Sequence, residues 1–157
     1  MDKRRSIGVF IQSSGILFLL TAVAKLISAT GNKRIFFNLD LVFHISFRHI
    51  LCIAAAAELA VALICFFSKN QKLQADLIAM LATNFLLYRF GLYWQGYYGI
   101  CPCWGNFTEV LHIPPQTADT AMKIILAYLL IGSYATLFWL WRQRKKAISS
   151  AVGAASL

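Results

Sequence analysis

Four long apolar stretches dominate the chain, parted by short polar or mixed segments. They run from about residue 7 to 27, 50 to 67, 77 to 94 and 121 to 141. Each approaches the roughly 20 residues that carry a helix across a bilayer. They are too long and continuous for buried strands, and they lack the apolar–polar alternation of a barrel. Backbone inside hydrocarbon must satisfy its own hydrogen bonds, so the expected fold is all-α. The pattern predicts one integral-membrane domain, a bundle of four transmembrane helices.

Composition agrees with this pattern, since 59% of the 157 residues are hydrophobic and only 13% are charged. A soluble domain of this size would not hide that much apolar surface, ordinary usage being about 45–50%. The net charge of +9 raises the question of nucleic acid. Its distribution argues against that class, because the cations cluster at the ends of apolar runs rather than on a face with interleaved aromatics. Lys3, Arg4 and Arg5 open the chain, and Arg142, Arg144, Lys145 and Lys146 follow the fourth stretch. Clusters so placed orient a membrane protein and also meet anionic lipid.

The expected topology has both chain ends cytoplasmic. The link 68–76, with Lys69 and Lys72, then lies inside, and the link 95–120, without Lys or Arg, lies outside. The first outer link fits less well, carrying Lys33, Arg34 and Arg48. It also holds Ile35-Phe36-Phe37 and the run from Leu39 to Phe47, with Asp40, His44 and His49 nearby, and reads as an interfacial segment. Tyr93, Trp94, Tyr97, Tyr98 and Trp104 form an outer aromatic belt, with Trp139 and Trp141 at the inner face. Basic residues, an apolar run and Ala22-Val23-Ala24 also admit a cleaved signal peptide. Three further spans make an uncleaved first helix the preferred reading.

Of the four cysteines, Cys101 and Cys103 fall together in Cys101-Pro102-Cys103-Trp104-Gly105, just past the third stretch and on the expected outer side. That compartment is oxidising, which favours a disulfide for at least part of a cycle. Cysteines one residue apart close a small, strained ring, and strained, accessible disulfides are the labile or catalytic ones. Pro102 fixes the backbone between them and removes one N–H. Two other readings compete: a structural staple or reduced pair, and a soft metal site completed by His112. Cys52, near the outer end of the second stretch, is a candidate third thiol, although a small packed residue is the plainer reading. Cys65 lies at the opposite end and reads as packing.

Lys25, Glu58 and Arg89 interrupt three different apolar stretches. Each charge costs at least ~2.5–3.5 kcal/mol on insertion scales, so such residues usually pair and often mark function. A Lys25–Glu58–Arg89 cluster in the outer half is expected, beneath the cysteine pair. The alternative is one ion pair that holds the bundle while Lys25 reaches outward. Gln12, Ser13, Ser14 and Asn84 read as interhelical hydrogen-bonding positions, and Ala54 to Ala57 as a close-packing face.

In these residues the chain resembles the MauE/DoxX group of small redox-associated membrane proteins. The matching features are Ala24-Lys25-Leu26, Glu58-Leu59, Arg89 and Cys101-Pro102-Cys103-Trp104-Gly105. The family motif has an aromatic, usually Phe, where this chain has Trp104. The resemblance implies a four-helix bundle of the bacterial inner membrane and thiol–disulfide chemistry outside the cytoplasm. It implies catalytic roles for Cys101 and Cys103 beside a thioredoxin-like partner, with a quinone as electron acceptor in some relatives. A non-catalytic assembly subunit with a structural disulfide and a Cys/His metal-handling protein remain as alternatives.

Overall fold

The computed structural model describes residues 3–29, 46–96 and 115–155, and these form four helices. They are α1 (Lys3–Ala29), α2 (Phe47–Phe67), α3 (Gln71–Trp94) and α4 (Pro115–Ala155). No strand occurs among the described residues. Each helix contains a stretch long and apolar enough to cross a membrane. Among the described residues the expected all-α architecture of four helices of membrane-spanning length is therefore observed. Large apolar side chains face outward throughout, Phe67 at 82% and Ile131 at 72% exposure among them, as lipid contact requires.

Two helices depart most from the pattern. α3 begins at Gln71 rather than 77, so the α2–α3 link shrinks to Ser68, Asn70 and the residue between them. The apolar run starts later than the helix because the first turn of α3 is polar and capped. The Asn70 side chain accepts from the Leu73 N–H at 3.4 Å. Gln74 is buried and donates from Nε2 to the carbonyls of Ile64, Cys65 and Ser68 at 3.2, 3.1 and 2.7 Å. It thereby satisfies the Cys65 and Ser68 carbonyls and adds a second donor to that of Ile64, which the Ser68 N–H already reaches at 3.0 Å. α4, expected over 121–141, runs for 41 residues. Pro115 fits its first position, where the missing N–H costs nothing. The basic residues from Arg142 onward are good helix formers that extend it beyond the apolar window.

α1 packs closely along α2, and α3 along α4, while contacts between these two pairs are few. The α1–α2 seam is built from residues three or four apart: Ile11, Ser14, Phe18, Ala22, Lys25 and Ala29 on α1, against Ala55, Glu58, Ala62 and Cys65 on α2, all buried. Ala22, Ala55 and Ala62 have no exposed surface, so the backbones approach closely. Gly15 marks a close approach, where an added Cβ would stand 3.0 Å from the Cys65 Cβ.

Both chain ends of the described helices and the α2–α3 link fall at one end of this up–down bundle, the link end. Ala29, Phe47, Trp94 and Pro115 lie at the opposite, open end. The main apolar cluster, including Ile7, Ile11, Val61, Cys65 and Ile78, fills the link half. Few contacts join α2 to α3 although three residues connect them, so the two helices diverge toward the open end. The site lies in that divergence.

Candidate functional site

A cleft of about 620 Å³ occupies the open half of the bundle and draws its walls from all four helices. This is the size of many small-molecule sites, roughly 300–1,000 Å³. Phe18, Leu51, Ile53, Phe85, Ile125 and Leu126 make it largely apolar. Ala54 and Ala57 face it with side chains too small to fill the gap. The small-residue run in α2 thus has two roles: Ala55 closes the seam with α1, and its neighbours leave the cleft empty of protein.

Polar groups gather at a few points on that apolar wall. Lys25 Nζ donates to Glu58 Oε1, and the two side chains are 5% and 1% exposed. The ammonium also stands 4.9 Å from the centroid of the Phe85 ring, within range of a cation–π contact. Glu58 Oε2 is buried and has no hydrogen-bond partner among the described residues. A buried carboxylate oxygen left in that state is costly, and native structures rarely tolerate it without a reason. Thr21, beside this pair in the cleft, has its hydroxyl 3.1 Å from each of the Leu17 and Phe18 carbonyls of its own helix and also next to the Glu58 carboxylate.

The expected three-residue cluster divides in two. Arg89 lines the same cleft as Lys25 and Glu58, but its guanidinium donates to Asp119 Oδ1. Lys123 approaches the other carboxylate oxygen at 2.8 Å, one turn along α4. The physical reason is proximity: α3 packs on α4, whereas Lys25 and Glu58 share the α1–α2 seam. Asp119 stands just ahead of the fourth apolar run, so no apolar neighbours single it out in the sequence. Its signal was position, one helical turn from Lys123 and opposite a lone arginine.

The polar residues of the first stretch separate as well. The Ser13 hydroxyl bridges to Tyr128 of α4 at 2.8 Å, as an interhelical position should, while Ser14 donates to the Phe10 carbonyl within α1. Asn84 lines the cleft. Cys52 is exposed and does not line it, although Leu51 and Ile53 on either side do; Cys65 is buried at the link end.

Gly96 closes α3 with φ +76°, a left-handed conformation that favours glycine, and its N–H bonds the Tyr93 carbonyl at 3.0 Å. The chain leaves the open end there and returns at Pro115. Cys101, Pro102, Cys103, Trp104 and Gly105 lie outside the described residues, as do His44, His112 and nearly all of the expected interfacial segment. No group of three metal-ligating side chains stands together among the described residues.

Fold and site together define a multi-pass helical membrane protein with a charged-floored apolar cleft near one membrane face. No family model, curated protein or solved structure matches the chain. The resemblance to the MauE/DoxX group therefore rests on the residues quoted for it.

Proposed function

We propose that this chain is a membrane thiol–disulfide redox protein of the bacterial inner membrane, with the open end of the bundle outside the cytoplasm. Its catalytic pair is Cys101 and Cys103, and its partner is an extracytoplasmic thioredoxin-like protein. The supporting observation is the tether: α3 ends at Trp94, and the turn after it reaches Gly96, at the same end of the bundle as the cleft. Five residue steps from Gly96 to Cys101 reach at most ~18 Å at 3.3–3.6 Å per residue. A tether of that length is compatible with a thiol pair working at the cleft's end of the bundle. Charge supports the orientation. Lys25, Arg89 and Lys123 in the open half are paired with acids, leaving Arg48 there without an ion pair among the described residues, whereas Lys69, Lys72 and Arg144 at the link end all lack one.

In the oxidising direction, a partner thiolate attacks the Cys101–Cys103 disulfide and forms a mixed disulfide, releasing one of the two sulfurs as thiolate. The partner's second thiolate then attacks the partner sulfur of that bond, leaving the partner oxidised and Cys101 and Cys103 as a dithiol. Two electrons and two protons have entered the pair. A quinone held in the cleft, with Lys25, Glu58 and Arg89 in its lining, would supply the two-electron acceptor that returns the pair to the disulfide. One feature of the cleft fits a quinol head group: Glu58 Oε2, buried and unpartnered, can accept a hydrogen bond from its hydroxyl. The apolar walls suit the hydrocarbon tail.

Trapping tests the reading. Cys101→Ser and Cys103→Ser variants, expressed in their native membrane and quenched with acid, are expected to differ, with one of them accumulating a mixed disulfide visible on a non-reducing gel. No adduct with either variant, together with full activity of the double variant, overturns the exchange and leaves a scaffold with a stapled loop.

A further inference from the structure

The link end carries a second concavity, a shallow groove of about 570 Å³ between the α2–α3 link and α4. Lys69, Lys72 and Arg144 line it with Asn70, Gln143 and Leu140, and no acidic residue does. None of the three cations has a carboxylate partner among the described residues. Asp76, one turn beyond Lys72, makes no ion pair with it. Neighbouring cations on α4 are otherwise engaged: Arg142 lies 5.1 Å from the Phe138 centroid and Lys145 4.1 Å from that of Trp141. Arg144 alone of these three turns to the groove.

The backbone adds to the same field. α3 opens in this groove, and the Asn70 side chain occupies only the Leu73 N–H. The N–H groups of Gln71 and Lys72 have no acceptor within their helix, and the positive end of the helix dipole coincides with them. Three unpaired cations and a helix start in one concavity form a site for a phosphate-like anion.

Position decides the source of that anion. The groove falls between the end of one candidate span at Phe67 and the start of the next at Gln71, and beside the last residues of the fourth, which ends at Lys145. It therefore sits at head-group level. Phe67 (82% exposed) and Leu73 (44% exposed) flank it with apolar surface on which acyl chains can lie. We propose that this groove binds the head-group phosphate of an anionic phospholipid. The site is independent of the redox reading and lies at the other end of the bundle.

Native mass spectrometry of the full chain, released from detergent after titration with defined lipids, tests this. Phosphatidylglycerol is expected to be retained, phosphatidylcholine lost, and inorganic phosphate at matched concentration should neither bind nor displace the lipid. The Lys72→Gln/Arg144→Gln pair should weaken retention on the order of tenfold or more, from the worth of each cation near an anionic surface. The Arg142→Gln/Lys145→Gln pair removes equal charge at the same end and should change it less than about twofold, because these cations face rings rather than the groove. Equal losses from the two pairs would show diffuse charge and overturn the site. Equal retention of phosphatidylcholine, or displacement by inorganic phosphate, would overturn the lipid assignment.

Discussion

Lys25 and Glu58, 33 residues apart in the chain, form an ion pair in which neither side chain is more than 5% exposed. The pair lies on the seam where α1 meets α2, between alanines that bring the backbones together. Only one carboxylate oxygen is used, so the pair both fastens the seam and presents an open acceptor.

Breaking this pair from one side strands a buried charge. Glu58→Gln is expected to destabilise the protein by about 3–5 kcal/mol, whereas the double variant Lys25→Met/Glu58→Met should recover most or all of that loss. Reversible denaturant unfolding in mixed micelles checks both. A single variant as stable as wild type would remove the pair from any role in holding the bundle.

Asp119 offers a contrast, because its pairs with Arg89 and Lys123 are partly exposed. Asp119→Asn should cost under about 1 kcal/mol by the same measurement, the usual worth of solvent-screened pairs. A loss as large as that of Glu58→Gln would mean that α3 and α4 depend on this contact.

Gln74 is the only side chain seen capping the end of α2 among the described residues, donating to three carbonyls. Gln74→Leu removes this donor from the Cys65 and Ser68 carbonyls, while Ile64 keeps the Ser68 N–H, and should cost about 1–3 kcal/mol. Hydrogen exchange should then rise at the α2–α3 link and the last turn of α2, and remain unchanged at the open end. Protection lost uniformly along α2 would contradict a local cap.

Close approach at Gly15 makes a steric prediction. Gly15→Ala places a methyl 3.0 Å from the Cys65 Cβ, where both atoms are anchored to helix backbone. Separating the seam should cost about 1–3 kcal/mol, as overpacking does. Gly8→Ala, with nothing within 4 Å of the new methyl, should gain only the helix preference for Ala, roughly 0.5–1 kcal/mol, and serves as the clash-free comparison in the same unfolding assay.

Thiol reactivity separates the two described cysteines. In a Cys101→Ser/Cys103→Ser background in detergent, a small maleimide should modify exposed Cys52 well before buried Cys65, which is 4% exposed. Comparable rates would contradict the packing of Cys65 against α1.

The run of apolar residues by itself determined that the described chain crosses a membrane as four helices, because a lipid interior leaves the backbone few other ways to pair its polar groups. The three intramembrane charges were also legible, since each stands out against hydrocarbon-like neighbours. Their partners were not. In a soluble helix the apolar face points inward, but here lipid-facing and bundle-facing sides are both apolar, so periodicity does not say which way Lys25 or Arg89 turns. Small and polar residues such as Ala55, Ala62 and Gln74 carry that information, and only the tertiary structure decided it: Lys25 meets Glu58 because α1 packs on α2, and Arg89 meets Asp119 because α3 packs on α4. The cleft likewise exists only in three dimensions, as the space left where α2 and α3 diverge and alanines leave it unfilled.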